Sequence, residues 1–120
     1  MIREDYVTFE QAKALRELGF NWKCFGFYFY DNELVFGGPR DYNLMHGYIS
    51  APALSQTQKW FREVKKIEVN ANYDNVKEKW YWFINDMQEC NMTTIDDYNF
   101  DTYEQALSEG IDKALELLKQ

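Results

Sequence analysis

The chain carries one imidazole, His46, and two thiols, Cys24 and Cys90. Acid–base or nucleophilic chemistry would have to be assembled from these few groups with nearby carboxylates and phenols. His46 stands close in sequence to Asp41, Tyr42 and Tyr48, so a small enzyme or ligand-binding site using His46 is one reading. A lone His is more often structural or solvated, and no nucleophile–base pair is spelled out beside it. The thiols lie 22 and 44 residues from the imidazole, which is no zinc spacing. Asp97-Tyr98-Asn99-Phe100-Asp101 opens with the D-x-N-x-D of a calcium loop. Thr102 then occupies the position that needs Gly, and Ser108 the position of the bidentate Glu. Gly37-Gly38-Pro39 reads as a turn, and neither a phosphate-binding loop nor G-x-S-x-G occurs. The sequence thus names no catalytic residue, no metal ligand and no cofactor.

A second chemistry is stacking. Lys23-Cys24-Phe25-Gly26-Phe27-Tyr28-Phe29-Tyr30 resembles the RNP1 signature of RNA recognition motifs, with Cys24 in place of the first Gly and Tyr28 in place of the aliphatic residue. The resemblance implies bases stacked on sheet aromatics, so single-stranded nucleic-acid binding is an alternative function. Phosphate contacts could come from a basic group at Lys59, Arg62, Lys65 and Lys66. RNP1 belongs on the third strand of its fold, however, and only 22 residues precede the segment here. The plainer reading is an aromatic-rich hairpin packed under helices, with the four cations on the solvated side of an amphipathic helix.

Composition sets the frame. The chain has 120 residues, 18% of them Phe, Trp or Tyr, and a mean hydropathy of −0.61. That fits a single globular domain spanning residues 1–120, with enough apolar surface to exclude disorder. The most apolar stretch, Cys24 to Tyr30, is far short of the roughly 20 residues of a membrane span. The net charge is −7, and all of it resides in residues 86–120, which hold nine acids and two lysines. This balance opposes non-specific binding to nucleic acid or anionic membrane. The N-terminus has no apolar export segment, so the expected compartment is the cytoplasm, with both thiols reduced.

The elements that would position these groups read in the order α-β-β-α-β-β-α. Thr8 and Gln11 form a capping box for a helix over residues 9–18, stopped by Gly19 with Phe20 folding back onto it. Residues 24–30 and 34–36 make a hairpin that Gly37-Gly38-Pro39 ends, and Tyr48-Ile49 form an edge strand or a covered loop. A second helix over residues 52–66 turns Leu54, Thr57, Trp60, Phe61 and Val64 inward. Alternation over Ile67–Tyr73 predicts a half-buried strand paired with residues 79–84, and residues 85–97 read as a mobile acidic connection. Asp101 and Glu104 box the start of a last helix over residues 102–118. Gly110 on its apolar stripe predicts a neighbour packed too close for a side chain. The class is α+β, with a mainly antiparallel sheet of about four strands and three helices.

Ala51-Pro52, Gln58-Lys59-Trp60-Phe61-Arg62-Glu63 and Tyr103-Glu104-Gln105-Ala106-Leu107 with Gly110 resemble a family of small proteins from Bacteroides-type gut bacteria, their phages and prophages. Its pattern reads approximately A-P-T, Q-K-W-L-R-E and Y-E-E-A-L-E-x-G, and the match covers about a third of the chain. The resemblance implies a phage- or prophage-associated cytoplasmic protein and carries over no catalytic residue. Together these readings favour a non-enzymatic interaction protein. Its contact surface would be an aromatic patch drawn from Phe25, Tyr28, Tyr30, Trp80 and Trp82, taking a protein partner or a second copy.

Overall fold

The caps and alternations fold as an antiparallel α+β structure. The computed structural model describes residues 2–89, 91–94 and 99–119, and only the backbone of 91–94. Contacts divide the chain into two compact units, Met1–Thr57 and Gln58–Leu118, each built round its own three-stranded sheet.

In the first unit, helix α1 (Phe9–Glu17) has both halves of its capping box. The Gln11 N–H donates to Thr8 Oγ1 at 3.2 Å, and the Thr8 N–H to Gln11 Oε1 at 2.8 Å. Gly19 at φ +94° reverses the chain, and the Phe20 N–H returns to the Leu15 carbonyl. Strands β1 (Cys24–Phe29), β2 (Leu34–Arg40) and β3 (Tyr48–Ser50) pair in the order β2-β1-β3. Tyr48 and Ile49 are therefore edge-strand residues. Gly37-Gly38-Pro39 does not end the hairpin, as the sequence suggested. Pairing steps from Gly26↔Phe36 to Cys24↔Arg40, so the three residues bulge out within β2. Two glycines and a residue without an N–H are suited to that irregular backbone.

The second helix, α2 (Leu54–Trp60), passes into a π-helical turn over Phe61–Lys65, closed by Lys66 at φ +60°. Leu54, Thr57, Trp60 and Phe61 are buried, as their spacing predicts. Val64, expected inward, is 47% exposed. The cause is the wider π turn, whose i→i+5 bonds rotate later residues off the α-helical stripe.

In the second unit, β4 (Ile67–Asp74), β5 (Lys79–Asp86) and β6 (Asn91–Thr94) pair in that order. The register sets Val69 beside Ile84, Ala71 beside Trp82 and Tyr73 beside Trp80. Much of the expected connection is thus strand: Asn85 and Asp86 finish β5, and Met92 and Asn91 pair with them. Residues 90 and 95–98 lie outside the described residues, and with them Cys90 and the start of the calcium-like spacing. Helix α3 (Tyr103–Leu118) lays Ala106, Leu107, Gly110, Ile111, Ala114 and Leu115 on the sheet. Its cap is Thr102, whose Oγ1 accepts the Gln105 N–H, one residue later than predicted. Asp101 is instead paired with Lys79, which anchors the start of α3 to β5. Gly110 has the expected close neighbours: a Cβ there would stand 2.9 Å from Trp82 Cβ and 3.1 Å from Val69 Cγ1.

Candidate interaction surface

Strand β1 decides which rings are available, because its side chains alternate between the two faces of the first sheet. Cys24, Gly26 and Tyr28 face α1 and the chain before it. The Tyr28 ring meets Phe9 edge-on at 5.3 Å, and its hydroxyl donates to the Val7 carbonyl at 2.8 Å. Gly26 is what lets this side close, since a Cβ there would lie 2.6 Å from the Ala51 carbonyl oxygen. The Cys24 thiol donates to the Gly26 carbonyl, and burial holds its pKa above the ordinary value, against a smaller opposite pull from Ser50. A buried, protonated thiol is a poor nucleophile.

Phe25, Phe27 and Phe29 take the other face. Tyr42, from the 3-10 turn Tyr42–Leu44, roofs Phe27 with ring centroids 4.5 Å apart. The phenol reaches over the β2 bulge and donates to the Gly38 carbonyl at 2.5 Å. Gly37 makes room for it, since a Cβ there would be 2.7 Å from the Tyr42 oxygen. Tyr48 completes the cluster, stacked 5.9 Å from Tyr42 and edge-on to Phe29 at 4.6 Å. Round this roofed centre Phe25 (48%), Phe29 (40%) and Val35 (40%) remain exposed. Tyr30 is 67% exposed, holds a left-handed backbone at φ +62° and presses its ring on Gly47.

The five rings expected to form the patch therefore divide. Phe25 and Tyr30 are exposed and Trp80 is half-buried, but Tyr28 and Trp82 are core residues. Tyr28 is spent on the α1 side, and Trp82 lies beneath Gly110 of α3. Trp80 packs edge-on between Tyr73 at 5.2 Å and Tyr103 at 5.5 Å. Phe29, Val35 and the Tyr42–Tyr48 roof were not among the expected residues. Gly26 was the available signal, because a glycine inside a strand marks a close backbone approach and hence the inner face. The roof over Phe27 also bears on stacking: one face of the ring at the centre of the RNP1-like segment is already covered.

The basic group is partly neutralised. Lys59 pairs with Glu63 at 3.8 Å, and Lys65 Nζ lies 5.5 Å over the Trp60 ring. Arg62 is half-buried and Lys66 exposed. His46 is exposed, with the Tyr30 ring 6.2 Å away. Among the described residues no three His, Cys, Asp or Glu come together as a metal site, and no helix is long and apolar enough to cross a membrane. Comparison with family models, with curated proteins and with solved structures finds no match for this chain.

Proposed function

We propose that the protein is a non-enzymatic interaction protein whose contact surface is the outer face of its first sheet. The observation that carries this reading is the set of exposed apolar side chains, Phe25, Phe29 and Val35, round a Phe27 that is roofed by Tyr42 and flanked by Tyr48. Rigid aromatic residues give large contact area with little loss of side-chain freedom, which is why they dominate binding hot spots. The resemblance of the Gln58–Glu63 and Tyr103–Gly110 segments to phage and prophage proteins supports an accessory role in such an element. A Phe25→Ala/Phe29→Ala variant tests the reading. It should stay folded, with the lost Phe29–Tyr48 ring pair costing about 0.5–1.5 kcal/mol beyond the lost burial, yet lose any protein retained specifically by immobilised wild type. Retention of the same proteins by the variant refutes the proposed surface.

A further inference from the structure

Edge strands expose backbone donors and acceptors to other chains, and this fold covers such groups with side chains. On β3, Asn43 Oδ1 takes the outward Ser50 N–H at 2.9 Å. On β4, Gln58 Nε2 donates to the Val69 carbonyl at 2.9 Å, and Asn70 Oδ1 takes the Ala71 N–H at 2.9 Å. Among the described residues, strand β2 has no counterpart of these over Leu34–Phe36. The Gly26 carbonyl accepts the Ala51 N–H on the β3 side, so Phe27 turns its backbone groups toward β2, opposite Val35. Leu34 and Phe36, one residue to either side, therefore direct N–H and C=O away from β1. The Val35 and Phe36 side chains flanking these groups are exposed.

We propose that this edge pairs with the same edge of a second copy of the chain, antiparallel about a twofold axis beside Val35, joining two first sheets into one. In that register Leu34 of each copy lies opposite Phe36 of the other, so every outward donor meets an outward acceptor. Val35 faces its own counterpart. Charge selects the direction. Asp31 and Glu33 precede the edge and Arg40 follows it, so antiparallel self-pairing brings acidic end to basic end, whereas parallel pairing sets like against like. The bulge at Gly37–Pro39 ends the pairing after one short segment, which makes the dimer a weak one. This inference uses the edge rather than the face of the sheet and shares only Val35 with the proposed contact surface.

Sedimentation velocity of the full chain from roughly 10 μM to 1 mM, the range of weak association, tests it. The weight-average sedimentation coefficient should rise with concentration. Val35→Lys, which sets two ammonium groups opposite each other, should weaken the dimer at least tenfold, while Phe25→Ala/Phe29→Ala leaves it unchanged. Glu33→Lys should weaken it, and Glu33→Lys/Arg40→Glu should restore it. Facing residues at a non-hydrogen-bonded position stand about 4.5 Å apart at Cα, within disulfide range. Val35→Cys should therefore oxidise to a covalent dimer much faster than Val76→Cys in the exposed β4–β5 turn. A monomer at every concentration, without preferential Val35→Cys cross-linking, overturns the proposal. So does a dimer that survives Val35→Lys but is lost in Phe25→Ala/Phe29→Ala, which would place the contact on the face.

Discussion

Replacing Gly110 by Ala sets two known effects against each other. Helix propensity alone favours Ala by about 1 kcal/mol. The added methyl would lie 2.9 Å from Trp82 Cβ and 3.1 Å from Val69 Cγ1, where relaxed carbon contacts stand about 3.5–4.0 Å apart. Trp82 Cβ is bonded directly to the β5 backbone and cannot swing aside as a side-chain tip would. The helix must lift instead, loosening Leu107, Ile111 and Ala114, all buried on the same sheet. Overpacking of this kind costs about 1–3 kcal/mol, so the balance is a net loss of about 1 kcal/mol and a Tm lower by about 4 °C. Urea unfolding followed by Trp fluorescence measures it, with exposed Glu109→Ala reporting propensity on the same helix. Val69→Ala removes one of the two obstructing groups, so Gly110→Ala/Val69→Ala should be less destabilised than the sum of the single changes by about 0.5 kcal/mol or more. A Gly110→Ala midpoint equal to or above wild type refutes the steric argument.

Tyr42→Phe removes the hydroxyl that holds the roof to the Gly38 carbonyl and should cost about 1 kcal/mol in denaturant unfolding; an unchanged midpoint would mean the ring stack alone fixes the roof. Alkaline pH should destabilise the fold. Burial raises the Cys24 and Tyr28 pKa values in the folded state above their ordinary 9.0 and 10.0, so the unfolded chain releases these protons first. Their contribution is complete below the unfolded values and lost as pH rises through the folded ones. Cys24→Ala/Tyr28→Phe should flatten the midpoint-against-pH curve above pH 9.0; a slope equal to wild type assigns the loss to other groups.

Local chemistry wrote the parts of this fold that the sequence displays. Thr8–Gln11 and Gly19 bound α1 because caps and left-handed stops are satisfied within a few residues. Gly110 announced close packing because its helix cost demands a reason. What escaped depends on neighbours distant in sequence. β1 is apolar on both faces, so period-two alternation could not say that Phe25, Phe27 and Phe29 face away from α1 while Cys24 and Gly26 face it. The π turn at Phe61–Lys65 keeps an ordinary helical composition, and only its geometry turns Val64 outward. The Thr102 cap was missed because Asp101 is an equally good capping residue, drawn off by Lys79 from a strand 22 positions back.

The amide of Gln58 has a consequence for how the second unit folds. It covers the Val69 carbonyl from outside the sheet, so β4 is protected only after the residues round Gln58 have docked. A chain that forms the β4–β5 hairpin first passes through a species with an open edge and the apolar row Ile67, Val69 and Ala71 uncovered. Such species are the ones that aggregate. Refolding yield should therefore fall with protein concentration more steeply in Gln58→Ala than in wild type, even under conditions where both native states persist.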